Sequence, residues 1–209
     1  MLAYFSWLLL KIISVYVPLQ TNAGFLLLKQ DYLHIDVWRT AFYIHVFSSI
    51  FALLAGFTQF SPILLKTKPT LHRAFGYSYV INILCITGPA GLIMSYYANG
   101  GTIAIAGFLT LSILWLSFTA LALIKAVRKN FAAHKYFMIR SFALTLSAIS
   151  LRGWKALFEE FSSINPTDRY RIIAWLGWGL NLVVAEIIIA RLIRKKQLRS
   201  QPILSKPSQ

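Results

Sequence analysis

The fold is decided by residues 102–127, which read TIAIAGFLTLSILWLSFTALALIKAV. Lys125 is the only charged residue in this stretch. A helix of about 20 predominantly apolar residues is long enough to cross the hydrocarbon core of a bilayer. A helix also satisfies its own backbone hydrogen bonds, which lipid cannot do. The stretch therefore predicts a transmembrane helix.

Further apolar runs of similar length lie on both sides of this helix. The six predicted spans are Leu2–Gln20, Trp38–Phe60, Phe75–Ala98, Thr102–Val127, Phe131–Leu151 and Tyr170–Ile193. The connections are short, and Asn99-Gly100-Gly101 is typical of a tight turn between antiparallel helices. The sequence predicts an all-α integral membrane protein, a bundle of six transmembrane helices. Residues 1–194 form its single domain, and 195–209 are predicted to be a basic, disordered cytoplasmic tail.

The composition agrees with a lipid environment and argues against a soluble class. Charged residues make up 13% of the chain, against about 25% in soluble domains. The net charge is +15, and the basic residues cluster at the ends of the apolar runs, which favours anionic phospholipids as partners over nucleic acid. Cys85 is the single cysteine, so an intramolecular disulfide is excluded.

The lysine and arginine counts predict the orientation. The first run is interrupted by Lys11 and is not followed by a small-residue cleavage site, so we expect it to remain as a helix. With the N-terminus inside, thirteen lysines and arginines lie on the inner side and six on the outer side, while Lys11 and Arg140 lie within runs. This asymmetry predicts that both termini are cytoplasmic.

Two histidines near the inner ends of two spans are the first candidates for chemistry. Pro69 suits the first position of a helix, which places His72 in its first turn, and Asn130 is a good N-cap for the helix that carries His134. A helix N-terminus favours neutral imidazole, the form that binds metals. Gly76 lies on the face of His72 and predicts space beside the ring. The pair is a predicted ligand set for haem iron.

The same two sites have alternative interpretations. Each histidine is followed by a basic residue, Arg73 after His72 and Lys135 after His134. Basic side chains at helix N-termini also suit a lipid phosphate. Interfacial histidines that bond headgroups or a loop carbonyl are the plainest alternative.

A third histidine lies inside a predicted span. His45 shares a helical face with Ser48, Ala52 and Gly56, small residues that permit close helix approach. We therefore expect His45 to face the bundle near the outer side. Its role is either functional, as a site residue or cofactor ligand, or a structural hydrogen bond to a neighbouring carbonyl.

Four further charges are candidates for ion pairs or structural polar contacts: Arg140, Glu186, Arg73 and Arg152. Arg140 and Glu186 are predicted at similar depth, roughly 10–14 Å from the inner boundary. A lone charge is unfavourable in hydrocarbon, so we expect the two to form an ion pair, structural rather than catalytic. Arg152 lies at the outer end of its span, where its side chain can reach the interface.

Residues 41–154 resemble the bacterial membrane-protein family called domain of unknown function 2306. The resemblance rests on HVFSSIFALLAGFTQF from His45, LHRAFGYSYV from Leu71, NGG at 99–101 and AAHKYFMIRSFALTLSAISLRGW from Ala132. It implies a multi-pass protein of the bacterial cytoplasmic (inner) membrane, without an assigned activity. The family pattern has histidine or arginine at the positions of His45, His72, Arg73, His134, Arg140 and Arg152.

A looser resemblance is to the ascorbate-dependent transmembrane cytochromes b, which hold two haems between histidines of alternate helices. It implies His72 and His134 as the ligands of one haem b. The second pair is incomplete, because His45 has no histidine partner on the fourth helix. The leading expectation is a cytochrome-like electron-transfer component with one haem, acting with other membrane redox proteins or quinone. The alternative is a protein without a cofactor: a non-enzymatic accessory subunit, a lipid-headgroup binder or a small transporter.

Overall fold

A computed structural model describes residues 11, 13–161 and 163–200, with side chains as far as residue 198. All regular structure in these residues is helical. Two short 3₁₀ helices, Gly24–Leu28 and Gln30–Tyr32, precede the main helices. Those helices are α1 Asp36–Gln59, α2 Pro62–Thr67, α3 Pro69–Tyr96, α4 Thr102–Val127, α5 Phe131–Thr145, α6 Ser147–Phe161 and α7 Pro166–Ser200.

Four helices of the described chain are long and apolar enough to cross a membrane: α1, α3, α4 and α7. The predicted first run, Leu2–Gln20, lies almost wholly outside the described residues. The predicted fifth run is divided at Leu146 into α5 and α6, which have 15 residues each. At 1.5 Å per residue each piece is roughly 22 Å long, shorter than the bilayer core. The prediction of an all-α membrane bundle holds, and four of its six spans are recognisable.

The division at Leu146 follows a residue whose side chain bonds both its own helix and a neighbouring one. The hydroxyl of Thr145 donates a hydrogen bond to the Ser141 carbonyl one turn earlier, at 3.1 Å. Such back-bonding by serine or threonine bends helices. At the C-terminal end the predicted helix was too short, because α7 continues to Ser200. Residues 195–200 are therefore helical, although the sequence predicted disorder from 195 onward.

The helix ends follow the predicted signals. The Asn130 side chain caps α5 by accepting a hydrogen bond from the backbone N–H of Ala133 at 3.1 Å. Pro69 is the first residue of α3. The turn between α3 and α4 places Gly100 and Gly101 at φ values of 87° and 72°, which glycine adopts without strain.

The helices pack as one bundle with a shared core. Helix α4 packs against α3, α5 and α7, and α1 packs against α3. Leu53, Tyr79, Ile83 and Leu144 are fully or almost fully buried where α1, α3 and α5 meet.

Helix α3 contains one turn of π-helix, Asn82–Thr87. Pro89 follows this turn, and a proline within a helix removes one backbone donor and clashes with the carbonyl one turn before it. A π-turn is one way to relieve that clash, and it leaves backbone carbonyls without their usual α-helical partners. The irregular turn faces His45 of α1.

Membrane orientation remains a prediction, with a direct test. Single cysteines at Asn99 and at Gln201, in a Cys85→Ser background, are expected to react with an impermeant maleimide from opposite sides of the membrane. The reason is the positive-inside asymmetry, which places the 99–101 turn outside and the C-terminus inside. Labelling of both cysteines from the same side would contradict this topology.

Candidate functional site

A cavity of about 640 Å³ lies within the bundle, between α1, α3, α4 and α6. It is elongated: Trp38 and Leu53 both line it on α1 and are 15 residues apart, which corresponds to roughly 22 Å. Small-molecule sites typically have volumes of about 300–1,000 Å³ and mainly apolar walls with a few placed polar groups. This cavity matches that description. Its ionisable lining residues are Lys29, His45, Arg152, Lys155 and Tyr170.

His45 projects from α1 toward the π-turn of α3. Its Nδ1 lies 2.9 Å from the carbonyl oxygen of Thr87, and because a carbonyl only accepts, Nδ1 carries the proton. Nε2 of the neutral ring then has a free lone pair. Gly91 makes this approach possible, since a Cβ there would lie 3.0 Å from the ring. The predicted bundle-facing orientation of His45 is therefore correct.

A hydrogen-bond network fixes the wall around His45. The Ser48 and Thr87 hydroxyls are 2.6 Å apart, and Thr87 Oγ1 donates to Asn82 Oδ1 at 3.0 Å. Asn82 Nδ2 donates to the Ser48 carbonyl at 2.8 Å. The network ties α1 to the π-turn behind His45, and the Thr87 carbonyl of that turn accepts from His45 itself.

Lys29 reaches the cavity from the segment before α1. Lys29 is only 2% exposed. The ammonium donates to the Tyr97 carbonyl and, at 2.6 Å, to Asn99 Oδ1, and it lies 4.6 Å from the centroid of the Tyr32 ring. All these partners are neutral. Burial without a carboxylate lowers the pKa of Lys29 to about 8.

This lowered pKa predicts a pH-dependent stability. The unfolded chain retains the proton up to a pKa near 10.5, so between pH 8 and 10.5 it binds more protons than the folded protein. The stability of the wild type relative to Lys29→Met should therefore rise through this window, by up to about 3 kcal/mol. Melting temperatures in detergent at pH 7 and pH 10 measure the effect.

The matched control is Lys135→Met, because Lys135 is exposed and burial does not penalise its charge. Its difference from the wild type should not change with pH. If the melting-temperature difference between Lys29→Met and the wild type is also the same at both pH values, the Lys29 ammonium is solvated in the folded protein.

Arg152 lies on α6 and also lines the cavity. Its Nη1 donates to the Ala148 carbonyl at 2.5 Å, one turn earlier. A guanidinium has five N–H donors, so most of its hydrogen-bonding capacity is left for another partner. Arg152 and His45 therefore line the same cavity. The sequence interpretation of Arg152 as an interfacial side chain missed this placement.

His72 and His134 lie at the opposite end of the bundle. His134 Nδ1 is 2.9 Å from the Ala122 carbonyl oxygen, and His72 Nδ1 is buried without a hydrogen-bond partner among the described residues. The predicted space beside Gly76 is occupied, because Gln59 Oε1 lies 3.0 Å from where a Cβ on Gly76 would be.

The predicted contact between Arg140 and Glu186 is present. Arg140 Nε and Nη2 donate to the two carboxylate oxygens of Glu186 at 2.5 and 2.7 Å. The guanidinium also lies 5.9 Å from the Phe118 ring and 5.4 Å from the Phe137 ring. Neither residue lines the cavity. Arg73, the other cation predicted beside a histidine, is exposed at the start of α3.

Sequence reasoning missed a buried hydroxyl network at the end of the cavity away from the 99–101 turn. The Tyr79 hydroxyl lies 2.8 Å from both Ser141 Oγ and Thr145 Oγ1, Trp115 Nε1 donates to Thr145 Oγ1 at 3.0 Å, and Thr119 Oγ1 lies 2.7 Å from Ser141 Oγ. These contacts join α3, α4 and α5. The available signal was the spacing of Ser141 and Thr145, four residues apart on one face of the predicted fifth span.

Comparison with known proteins gives one match. No curated protein and no solved structure matches the chain. The family described as "Predicted membrane protein (DUF2306)" matches residues 42–189, which is more than half of the chain and includes all of α3, α4, α5 and α6. The chain therefore belongs to the DUF2306 family of predicted membrane proteins, whose function is unknown.

Proposed function

We propose that this protein binds a small amphiphilic molecule in the cavity between α1, α3, α4 and α6, as a non-enzymatic membrane binding protein or small carrier. The observation that supports the proposal is the cavity itself, about 640 Å³ in volume and bordered by both ionisable and apolar side chains. A polar ligand would need only polar walls, and a purely apolar one would leave the ionisable groups without partners.

The distribution of the lining residues matches an amphiphile. Lys29 and Tyr170 border the end of the cavity next to the 99–101 turn, together with Ala98. The lining residues Leu53, Leu111, Trp115 and Leu144 belong to the apolar core of the bundle. A ligand with a polar head and an apolar tail would satisfy both ends.

The test uses the protein in nanodiscs of neutral phosphatidylcholine, with 11-(dansylamino)undecanoic acid and its methyl ester as fluorescent probes. Trp38 and Trp115 line the cavity, so energy transfer from tryptophan to the dansyl group reports binding. Ser49→Phe adds a ring to the cavity wall, whereas Ser117→Phe adds the same ring to an exposed position of α4.

We expect saturable binding of at least one probe, lost in Ser49→Phe and retained in Ser117→Phe. Protein-free nanodiscs give the background from partition into lipid. Binding that does not saturate above this background, or that Ser49→Phe leaves unchanged, would contradict the proposal.

A haem b between His72 and His134 is the second candidate. The Ala122 carbonyl fixes His134 as the Nδ1–H tautomer, with Nε2 free to bind a metal, as in metal-ligating histidines whose other nitrogen donates to a carbonyl. The orphaned Nδ1 of His72 is the observation that favours a ligand there. Haem would supply one-electron transfer, with a membrane redox protein or quinone as partner.

Absorbance spectra of purified protein, oxidised and dithionite-reduced, test this candidate. If haem is bound, the wild type has a Soret band, and His134→Ala loses it. Wild type that shows no Soret band after reconstitution with haem would exclude the cytochrome hypothesis. Arg73 and Lys135 beside the two histidines would then be best explained by anionic phospholipid at this end of the bundle.

A further inference from the structure

The charges on the cavity wall all have the same sign. Lys29, Arg152 and Lys155 line it, and no aspartate or glutamate does. The chain has only six acidic side chains, and all six belong to the described residues. Asp36 pairs with Arg39, Asp168 with Arg171 and Glu186 with Arg140, all away from the cavity, while Glu159 pairs with Lys155 on its wall. No ion pair among the described residues includes Lys29 or Arg152.

Both cations keep donors available. The Lys29 ammonium has three N–H donors, of which two are used by Tyr97 and Asn99. Arg152 donates one hydrogen bond, to Ala148. The buried Lys29 ammonium has no counter-ion, which is unfavourable, whereas the Arg152 side chain is exposed at the cavity wall. An anion that reaches both groups would form charge-assisted hydrogen bonds with them.

We infer that the ligand of this cavity is an anionic amphiphile, with a carboxylate or phosphate head bound by Arg152 and Lys29 and an aliphatic tail along the apolar wall. The inference rests on the proposed function, because it specifies the ligand of the same cavity. His45 completes the head-group region. Its Nε2 accepts a hydrogen bond while neutral, so it suits a hydroxyl or a bridging water beside the anion rather than the anion itself.

The apolar part of the wall accounts for the tail. The lining residues Ile50 and Leu53 on α1, Leu111 on α4 and Leu144 on α5 are apolar and partly or fully buried. Burial of an aliphatic chain is favourable relative to water but not relative to the lipid tails of a bilayer. The tail therefore adds a requirement for shape and little to the affinity. The specificity of the site therefore depends on the head group.

The experiment compares the two dansyl probes at pH 7 in the neutral nanodiscs. The dissociation constant of the acid should be lower than that of its methyl ester by a factor of about ten or more, because only the acid forms charge-assisted hydrogen bonds. Arg152→Gln should reduce the affinity for the acid by a larger factor than the affinity for the ester, so that this preference is lost. Arg152→Lys should restore part of it. Lys29→Met is the second variant, which keeps the inference testable if Arg152→Gln does not fold.

Arg73→Gln is the matched control, since it removes one exposed cation at the opposite end of the bundle. Competition by dodecanoate and by dodecyl phosphate, with dodecanol as the uncharged reference, distinguishes a carboxylate head from a phosphate head. Displacement by either anion and not by dodecanol supports the inference.

Other outcomes would overturn it. Equal binding of acid and ester, both blocked by Ser49→Phe, would leave the amphiphile cavity in place and refute the anionic head. A loss of acid preference in Arg73→Gln as large as in Arg152→Gln would place the anion at the wrong end of the bundle. Absence of saturable binding for both probes would remove the proposed function as well.

Discussion

Glu186→Met is expected to destabilise the protein by about 3 kcal/mol, and the double variant Arg140→Met/Glu186→Met by clearly less. The single change leaves the Arg140 guanidinium within the apolar part of the bundle without its carboxylate. The two hydrogen bonds of the pair, at 2.5 and 2.7 Å, are parallel and charge-assisted, a geometry that methionine cannot replace. The double change removes both charges and leaves two apolar side chains of suitable length.

A thermal-stability cycle in detergent measures this coupling. The control is Asp36→Asn, because Asp36 and Arg39 are also 2.5 Å apart but lie at an exposed helix end. An exposed pair contributes less than about 1 kcal/mol, so this variant should be nearly neutral. If the effects of Arg140→Met and Glu186→Met simply add, the pair does not stabilise the bundle and the prediction is wrong.

The features that the sequence predicted well depend on local chemistry. The spans at α1, α3, α4 and α7 follow from apolar length alone. The Asn130 cap and the 99–101 turn follow from the residue types at single positions. The Arg140–Glu186 contact could be predicted because a lone charge in hydrocarbon is so unfavourable that it limits the possible arrangements.

The features that it missed depend on which helices face one another. The break at Leu146 involves Thr145, whose hydroxyl also accepts from Trp115 of α4, a contact between residues 30 positions apart. Arg152 lies near the end of an apolar run, where snorkelling to the interface is the ordinary expectation, and Lys29 lies in the connection between two runs. Their place on one cavity wall follows from the packing of α6 against α7 and of the 24–32 segment beside α1, which no local pattern contains.

Gly88→Ala is expected to destabilise the protein by about 3 kcal/mol or more, the largest effect we predict for a single methyl group. A Cβ on Gly88 would lie 2.3 Å from the Ile83 carbonyl oxygen and 2.5 Å from Leu116 Cδ2. The Leu116 side chain can move, but the carbonyl accepts the Gly88 N–H within the π-turn, so relief of the clash requires that turn to rearrange. Thr87 and its contact with His45 would shift with it, so probe affinity in the cavity should fall together with stability.

Gly179→Ala is the matched control: nothing lies within 4 Å of its added methyl group, and alanine is favoured over glycine in a helix by about 1 kcal/mol. Thermal unfolding in detergent measures both variants. If Gly88→Ala is as stable as Gly179→Ala, α3 can adopt a regular α-helix without loss of stability, and the fold does not require the π-turn.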